Sequence, residues 1–294
     1  MSDARQRLLV ISPVRNEAAH IETVARAVAA QTWPPDCWVV VDDGSTDATP
    51  AILARLKHEI GFLSVIRGES VGDSARDRLA AGAAPRAFNR GLNSVEWRSF
   101  THIAKLDGDT ELPERYFESL LTEFATDPQL GLAGGVRSER ADGSLERVPT
   151  DYHVPGALKC YSRPCLEAIG GMQERLAWDT IDEVSARMRG FQPRAFPELV
   201  AVHHRRWGSA DGSLRGRARH GRCAYIVHYP ALWILARAYK SEGVKPRVLS
   251  SLCFVGGYMM AAVRREPQVE DPEFRRFFRR ELRQRIRRAA VITR

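Results

Sequence analysis

The sequence lacks the cysteine patterns that mark disulfide-stabilised or zinc-binding proteins. Its 294 residues include five cysteines, at positions 37, 160, 165, 223 and 253, and none of them forms a C-x-x-C pair or clusters with histidine. An odd and scattered set of cysteines in a chain of this length indicates reduced thiols. We therefore expect a cytoplasmic protein without disulfide bonds.

Long hydrophobic runs are also missing. The first apolar run, at residues 8–12, is too short for the hydrophobic region of a signal peptide. Two apolar stretches in the C-terminal third, 223–239 and 248–263, are interrupted by polar residues or glycine and fall short of the roughly 20 residues that a membrane span needs. These stretches are expected to lie at a membrane interface or to pack as helices on the core.

The glycine-rich loops that hold phosphate in many nucleotide-binding proteins are absent, since neither G-x-G-x-x-G nor the Walker A pattern occurs. Composition is otherwise that of a globular protein, with 44 % hydrophobic and 27 % charged residues, which excludes disordered and collagen-like chains. The length suits one large domain or one domain with an appendage.

Lysine is scarce, because 39 of the 44 basic residues are arginines, and the charge is uneven along the chain. Residues 203–294 have a net charge of +14, whereas residues 1–202 have a net charge of −6. Such a basic region predicts a polyanionic partner, either nucleic acid or an anionic membrane surface. The alternative is a solvated helix face with no partner.

The last part of this basic region has the pattern of an amphipathic helix. Residues 273–288 place Phe274, Phe277, Phe278 and Leu282 on one helical face and arginines on the others. Aromatic residues are not interleaved with the arginines as in single-strand-binding platforms, which counts against nucleic acid. We expect this aromatic face either to lie on an anionic membrane or to pack on the preceding domain.

Apolar runs and helical periodicity alternate through the first third of the chain. Buried strands are predicted at 8–12, 37–41 and 62–66, with helices at 17–31 and 46–57 between them. This order implies parallel strands joined by right-handed crossovers, and so an α/β fold. Further strands are predicted at 102–106, 130–136 and 199–203, helices at 93–100, 114–125 and 181–189, and a loop at 68–87.

Acidic and polar clusters follow three of these strands. They are SPVRNE at 12–17, DDGSTD at 42–47 and Asp107-Gly108-Asp109. In open α/β sheets the carboxyl ends of the strands form the ligand crevice. The two aspartates flanking Gly108 suit a hard divalent cation such as Mg²⁺ or Mn²⁺, which would neutralise a leaving diphosphate. The alternative is a turn in which aspartate caps the backbone.

In this order and spacing, SPVRNE, DDGSTD and KLDGDT resemble the inverting GT-A glycosyltransferases of family 2. FNRGLNS at 88–94, GALKCYSRPCLEAIGG at 156–171 and WDTIDEVSARMRGF at 178–191 match further family segments, so that the resemblance covers residues 8–207.

The resemblance implies a GT-A domain at residues 1–207, an α/β structure whose mixed sheet has helices on both faces. A helical, arginine-rich extension at residues 208–294 would follow it.

The resemblance also implies roles for individual residues around a nucleotide. Pro13 and Glu17 would line the nucleotide site, and Asp43 would bind the base. Asp107 would contact the ribose, and Asp109 would bind the metal ion.

The catalytic base and a third metal ligand are implied by the later motifs. Asp182 would be the base that deprotonates the acceptor hydroxyl, with Asp179 and Glu183 as alternatives. His204, which follows the last predicted strand, would be a further metal ligand, and His203 is the weaker candidate.

These observations together predict a metal-dependent inverting glycosyltransferase that uses Mn²⁺ or Mg²⁺. It would move a sugar from a nucleotide sugar to a glycan or lipid-linked hydroxyl acceptor, in the biosynthesis of polysaccharide or of the cell envelope. We expect it in the cytoplasm, at the inner face of the cell membrane, without a nucleic-acid partner. The alternatives are a nucleotidyltransferase and a nucleic-acid-binding protein that acts through its basic tail.

Overall fold

The computed structural model forms two compact units, Met1–Arg206 and Trp207–Arg294. The residues that it describes are 6–68, 81–141, 144–147, 153–205, 213–240 and 247–292. Most of the loop predicted at 68–87 therefore lies outside the described residues.

The first unit alternates strands and helices. Its described strands are β1 (Leu8–Val14), β2 (Cys37–Asp42), β3 (Leu63–Arg67), β4 (His102–Lys105), β5 (Thr110–Glu111), β6 (Leu130–Ala141), β7 (Ser144–Arg147), β8 (Cys160–Ser162) and β9 (Gln192–His203). Its described helices are α1 (Ile21–Ala29), α2 (Thr49–Glu59), α3 (Ala83–Asn93), α4 (Tyr116–Thr126), α5 (Arg163–Ile169) and α6 (Trp178–Met188).

The described strands form one mixed sheet in the order β3-β2-β1-β4-β8-β6-β9-β5, with β7 paired to β6. Strands β1 to β4 pair in parallel, as the alternation of strands and helices predicts. The antiparallel strand β8 joins this half of the sheet to β6. The predicted α/β class with a mixed sheet is confirmed.

Both faces of the sheet are covered, which explains why the central strands are almost continuously apolar. Successive side chains of a strand point to opposite faces. In β1, Leu8 and Val10 belong to the core that contains residues of α1, α2 and α4, while Leu9 and Ile11 belong to the core under α3. All four side chains are fully buried.

The structure corrects the prediction for the segment after β3. Helix α3 occupies Ala83–Asn93, where a loop to residue 87 was expected, and the helix expected at 93–100 is only a short 3₁₀ turn at Trp97–Ser99. Helix α3 packs closely on the sheet, because a Cβ at Gly91 would lie 2.6 Å from Cγ2 of Ile11. Glycine at position 91 thus allows this close contact of the helix with β1.

The described part of the second unit is helical. Its described helices are α7 (Ser213–Ile226), α8 (Ala231–Lys240), α9 (Arg247–Val263) and α10 (Pro272–Ile292). Helices α7 and α9 cross closely at a position where α9 has glycine. A Cβ at Gly257 would lie 1.9 Å from the carbonyl oxygen of Ala218 and would prevent this crossing. A Cβ at Gly221 would likewise lie 2.0 Å from the carbonyl oxygen of Phe254.

The aromatic face of α10 is buried within this unit. Phe274, Phe278 and Leu282 are at most 2 % exposed, and the ring of Phe278 packs edge-on against Tyr229 with 4.9 Å between ring centres. The expectation that this face lies on a membrane is therefore wrong, because its apolar side chains are already used inside the unit. None of the helices in the described part of the chain is long and apolar enough to cross a membrane.

Candidate active site

The parallel register brings the first two polar clusters side by side. Val14, the last residue of β1, is paired with Asp42, the last residue of β2, and the Asp43 amide donates a 2.9 Å hydrogen bond to the Val14 carbonyl. The two loops are then joined through Asn16, whose side-chain oxygen accepts a 2.8 Å hydrogen bond from the Thr46 amide.

Asp42 and Asp43 have different surroundings, although both are buried. The Asp42 carboxylate accepts a 2.9 Å hydrogen bond from the Ser45 amide and so caps the turn. Asp43 lies beside the backbone at Gly68, where an added Cβ would come within 2.8 Å of the Asp43 carboxylate. Gly68 thus leaves space at Asp43, the residue predicted to bind the base.

The Asp107-Gly108-Asp109 segment follows β4, the neighbour of β1. Lys105, a buried lysine within β4, binds the Asp107 carboxylate and donates a 2.9 Å hydrogen bond to the carbonyl of Gly156. A Cβ at Gly108 would lie 2.7 Å from Cγ1 of Val14, so glycine is needed for this segment to approach the end of β1.

Glu17 and Asp109 form a buried acidic pair at this edge of the sheet. Burial, together with the charge of Asp109, raises the pKa of Glu17 to about 8. The Arg205 guanidinium, just beyond β9, lies 2.8 Å from the Glu17 carboxylate and 3.9 Å from that of Asp109. The raised pKa of Glu17 means that Arg205 does not compensate the charge of both acidic groups, so a further cation bound at this edge would favour the charged form of Glu17.

Of the two histidines at the end of β9, His203 is the one whose ring approaches Asp109, with 3.5 Å between Nε2 and the carboxylate. The ring of His204, the predicted metal ligand, is 2.9 Å from the Glu111 carboxylate and stacks on the ring of His20. Successive side chains of a strand point in opposite directions, which explains why the two rings separate.

A divalent cation fits this set of residues only with ligands from outside the protein. Within the described residues, no three His, Cys, Asp or Glu side chains converge to hold a metal ion on their own. The Asp109 carboxylate and His203 Nε2 are donors of the types that Mn²⁺ accepts, and phosphate oxygens commonly complete the coordination of Mg²⁺ and Mn²⁺.

The predicted base, Asp182, lies inside the protein on α6. Its side chain is 2 % exposed, lies 2.8 Å from Lys159 Nζ and accepts a hydrogen bond from the hydroxyl of Tyr161. Burial raises the pKa of Asp182 to about 6, although Lys159 and Tyr161 stabilise its charged form. Both oxygen atoms of this carboxylate are thus engaged with buried groups, Lys159 directly before β8 and Tyr161 within it.

Glu183 is buried beside Asp182 and shares its lysine. Its carboxylate lies 3.3 Å from Lys159 Nζ and 2.9 Å from His153 Nδ1, and accepts a 3.0 Å hydrogen bond from the Val154 amide. Although burial acts to raise the pKa of Glu183, the charges of Lys159 and His153 lower it to about 2. Glu183 therefore acts as an internal counter-ion.

Asp179, in the first turn of α6, is the acidic residue of this helix that reaches the surface. Its side chain is 36 % exposed, and its carboxylate lies 3.6 Å from His153 Nε2. A Cβ at Gly156 would lie 3.6 Å from the Asp179 Cβ, and the Gly156 carbonyl accepts the hydrogen bond of Lys105. Asp179 thus lies beside Gly156, whose carbonyl binds Lys105, the lysine that holds Asp107.

Lys105, Lys159, His153 and Arg205 are site residues that the sequence analysis did not single out. Lys105 lies on β4 and Lys159 directly precedes β8, and the ring centre of Trp178 is within 5.5 Å of both ammonium groups. The available signal was a lysine inside an apolar strand, as in HIAKL at 102–106, because a buried lysine requires an acidic partner.

Comparison with known proteins identifies a matching family and a relative in sequence. The sequence profile of Glycosyl transferase family 2 matches residues 9–172. A beta-monoglucosyldiacylglycerol synthase from Synechocystis sp. is 26 % identical over an alignment of 192 residues. The match covers 57 % of this chain and 37 % of that protein. The chain thus spans little more than a third of this relative's length.

Solved structures share the fold at low sequence identity. The mannosyltransferase PcManGT from Pyrobaculum calidifontis, in complex with GDP-Man and Mn²⁺, has a TM-score of 0.58 at 20 % identity, covering 89 % of this chain and 76 % of that one. TarS 1-349 from S. aureus, in complex with UDP-GlcNAc, has a TM-score of 0.56 at 14 % identity, covering 90 % and 93 %. Since the family profile covers more than half of the chain, including all three acidic strand ends, the chain belongs to glycosyl transferase family 2, and it has the GT-A fold.

Proposed function

We propose that this glycosyltransferase is metal-dependent and inverting, and that it transfers a sugar from a nucleotide sugar to an acceptor hydroxyl in one in-line displacement. The observation that carries the proposal is the meeting of three acidic strand ends, at Glu17, Asp43 and Asp109, at the carboxyl edge of β1, β2 and β4. Carboxylates at this edge suit the base, the ribose and a metal-bound diphosphate.

In this proposal the donor lies along that edge. Asp43 hydrogen-bonds the base in the space beside Gly68, and Pro13 and Glu17 line the nucleotide site. Asp107, held by Lys105, accepts a hydrogen bond from the ribose.

Asp109, with His203 rather than His204, would hold Mn²⁺ or Mg²⁺. A bound divalent cation supplies positive charge for the diphosphate that departs from the sugar. Arg205 contacts both Glu17 and Asp109. It is therefore the residue of this chain that would have to respond to the positive charge of the bound cation.

For the catalytic base, the geometry favours Asp179 over Asp182. A general base must come within hydrogen-bond reach of the acceptor hydroxyl, and Asp179 is the partly exposed acid of the two. Asp182 is enclosed by Lys159 and Tyr161, so its role is to hold α6 in place. The role of Asp182 as base stays a prediction, which the following comparison of variants tests.

Asp179→Asn should lower turnover by about 10²–10⁴-fold, the usual contribution of a general base, with donor affinity and unfolding temperature close to wild type. Asp182→Asn should instead lower the unfolding temperature, because it leaves Lys159 buried with one partner fewer. Turnover, calorimetric donor binding and thermal unfolding measured on both variants separate the two roles. An active Asp179→Asn variant would rule out Asp179 as the base.

We place the enzyme in the cytoplasm, at the inner face of the cell membrane, with a lipid-linked or glycan acceptor. The Synechocystis relative is named for the synthesis of a glucosylated diacylglycerol, which is a lipid product. The solved neighbours hold GDP-Man and UDP-GlcNAc, so these two donors head the screen. Synthesis of cell-envelope glycolipid or polysaccharide fits such an acceptor.

The reaction products distinguish the proposed glycosyltransferase from a nucleotidyltransferase. A glycosyltransferase releases a nucleoside diphosphate from its donor, whereas a nucleotidyltransferase releases inorganic diphosphate from a nucleoside triphosphate. Incubation with a panel of nucleotide sugars and Mn²⁺ or Mg²⁺, followed by chromatography of the nucleotides, should give the nucleoside diphosphate. Release of diphosphate from a triphosphate would contradict the proposal.

A further inference from the structure

The exposed apolar side chains of this protein are concentrated on two helices. In the described parts of the chain, every large hydrophobic side chain that is exposed belongs to α8 or α9 of the second unit. These side chains are between 46 % and 79 % exposed, and they are Leu232, Leu235, Val248, Leu249, Leu252, Met259, Met260 and Val263. A soluble protein rarely leaves such a set in contact with water without a binding partner.

The six exposed residues of α9 lie on one face of the helix. At 100° per residue, Val248, Leu252, Met259 and Val263 fall within a narrow arc, and the stripe that they form is about 22 Å long. The opposite face is packed inside the unit, with Phe254 and Ala261 buried. No charged residue occurs between positions 248 and 263. We call this set of α9 side chains the apolar stripe.

Arginines border the apolar stripe. Arg247 is the first residue of α9, and Arg264 and Arg265 follow its last residue, both of them exposed. Helix α10 of the same unit exposes further arginines, including Arg276 and Arg280. An apolar strip bounded by basic residues has the chemistry of a helix that lies in the headgroup region of a bilayer.

We propose that the apolar stripe is the surface by which the second unit lies on an anionic lipid bilayer. Charge decides between lipid and a second copy of the chain, because the exposed arginines next to the stripe, such as Arg264 and Arg265, would repel those of a second copy but attract anionic headgroups. Helix α9 enters the interface lengthwise, since it is too short and too interrupted to cross the bilayer. This role belongs to α9, not to the buried aromatic face of α10.

The choice of a lipid partner is linked to the proposed lipid-linked acceptor, but the binding itself requires no activity. Salt screens the attraction between the arginines and the anionic headgroups, but it does not screen the burial of the apolar stripe in the bilayer. Binding should therefore weaken at high salt without being lost. Vesicle binding and donor turnover can fail separately, which keeps the two proposals distinguishable.

The test is co-sedimentation of the full chain with vesicles of phosphatidylcholine, with or without phosphatidylglycerol. Wild type should sediment with the anionic vesicles, and the double variant Leu252→Glu with Val263→Glu should bind at least tenfold more weakly. The matched control is Ala51→Glu with Ala54→Glu, which adds the same charge at exposed positions of α2 and should bind like wild type. Leu252→Ser with Val263→Ser repeats the test without added charge, and thermal unfolding verifies that each variant is folded.

Two results would overturn the proposal. One is equal vesicle binding by the stripe variants and the α2 control. The other is a wild-type dimer in size-exclusion chromatography without lipid that becomes a monomer in the stripe variants, which would make the stripe an interface between copies. Vesicle binding without nucleotide-sugar turnover would contradict the proposed function and leave the stripe proposal standing.

Discussion

His203 and His204 are neighbours in the chain, but their rings contact different carboxylates. His203 is next to Asp109, and His204 is next to Glu111. We expect His203→Gln to weaken Mn²⁺-dependent binding of GDP or UDP at least tenfold, as losses around metal sites commonly do. His204→Gln is the matched control and should bind within about twofold of wild type. Isothermal calorimetry measures both, and the reverse ranking would restore His204 as the ligand.

His102, at the start of β4, makes the fold sensitive to acid. Burial lowers the pKa of His102 to about 4, while the unfolded chain keeps a pKa near 6.5. The unfolded state therefore binds the proton first as the pH falls, and the free energy of unfolding decreases between pH 6.5 and pH 4.

This group should account for a loss of up to about 3 kcal/mol over that range. Urea unfolding at pH 7 and pH 4.5 should show a smaller loss in His102→Phe than in wild type, because phenylalanine does not titrate and can pack beside Phe124. Equal losses in the two proteins would show that His102 is not the acid-sensitive group.

At the scale of elements, replacing either of two adjacent glycines in α9 should affect its crossing with α7 differently. A Cβ at Gly257 would lie 1.9 Å from a backbone oxygen of α7, whereas a Cβ at Gly256 would meet nothing within 4 Å. Gly257→Ala should therefore destabilise the second unit, because the helix backbones must move apart.

The control, Gly256→Ala, should be neutral or more stable by about 1 kcal/mol, because alanine favours a helix over glycine. Limited proteolysis and thermal unfolding of the two variants measure the difference. A Gly257→Ala variant as stable as Gly256→Ala would contradict the close crossing.

Helix α6 illustrates why the base was difficult to predict. The sequence analysis began this helix near residue 181, but it begins at Trp178, which puts Asp179 in its exposed first turn and Asp182 on its buried face. The buried partners are Lys159, directly before β8, and Tyr161 within β8, a three-residue strand with too little periodicity to predict. Which acid of α6 faces solvent was thus decided by packing against a strand distant in the sequence.

At the scale of the whole molecule, activity should depend on a divalent cation. Chelation with EDTA should abolish nucleotide-sugar turnover, and excess Mn²⁺ or Mg²⁺ should restore it in wild type, because the diphosphate leaves with additional negative charge. Asp109→Asn should not be restored by either ion, since it lacks the carboxylate proposed to hold the metal. Full turnover in EDTA would contradict metal dependence.

The α/β class, the family and the positions of the main strands could be determined from the sequence alone. Buried strands such as LLVIS and CWVVV are continuous in the chain, and the acidic clusters follow them directly, so these features are local. The three strand ends could be expected to meet because parallel strands end at the same edge of a sheet. The helical character of the tail is likewise local, since it depends on periodicity.

The tertiary structure alone decided which side chains of these elements are buried and which are free. The pattern of α10 is that of a membrane-surface helix, but Phe274 and Phe278 are buried and Phe278 packs on Tyr229, while the apolar face left exposed belongs to α9. The same holds for Asp182, whose charge is held by Lys159. An amphipathic pattern or an acidic pair states only that a partner is required, and identifying that partner requires contacts between residues far apart in the chain.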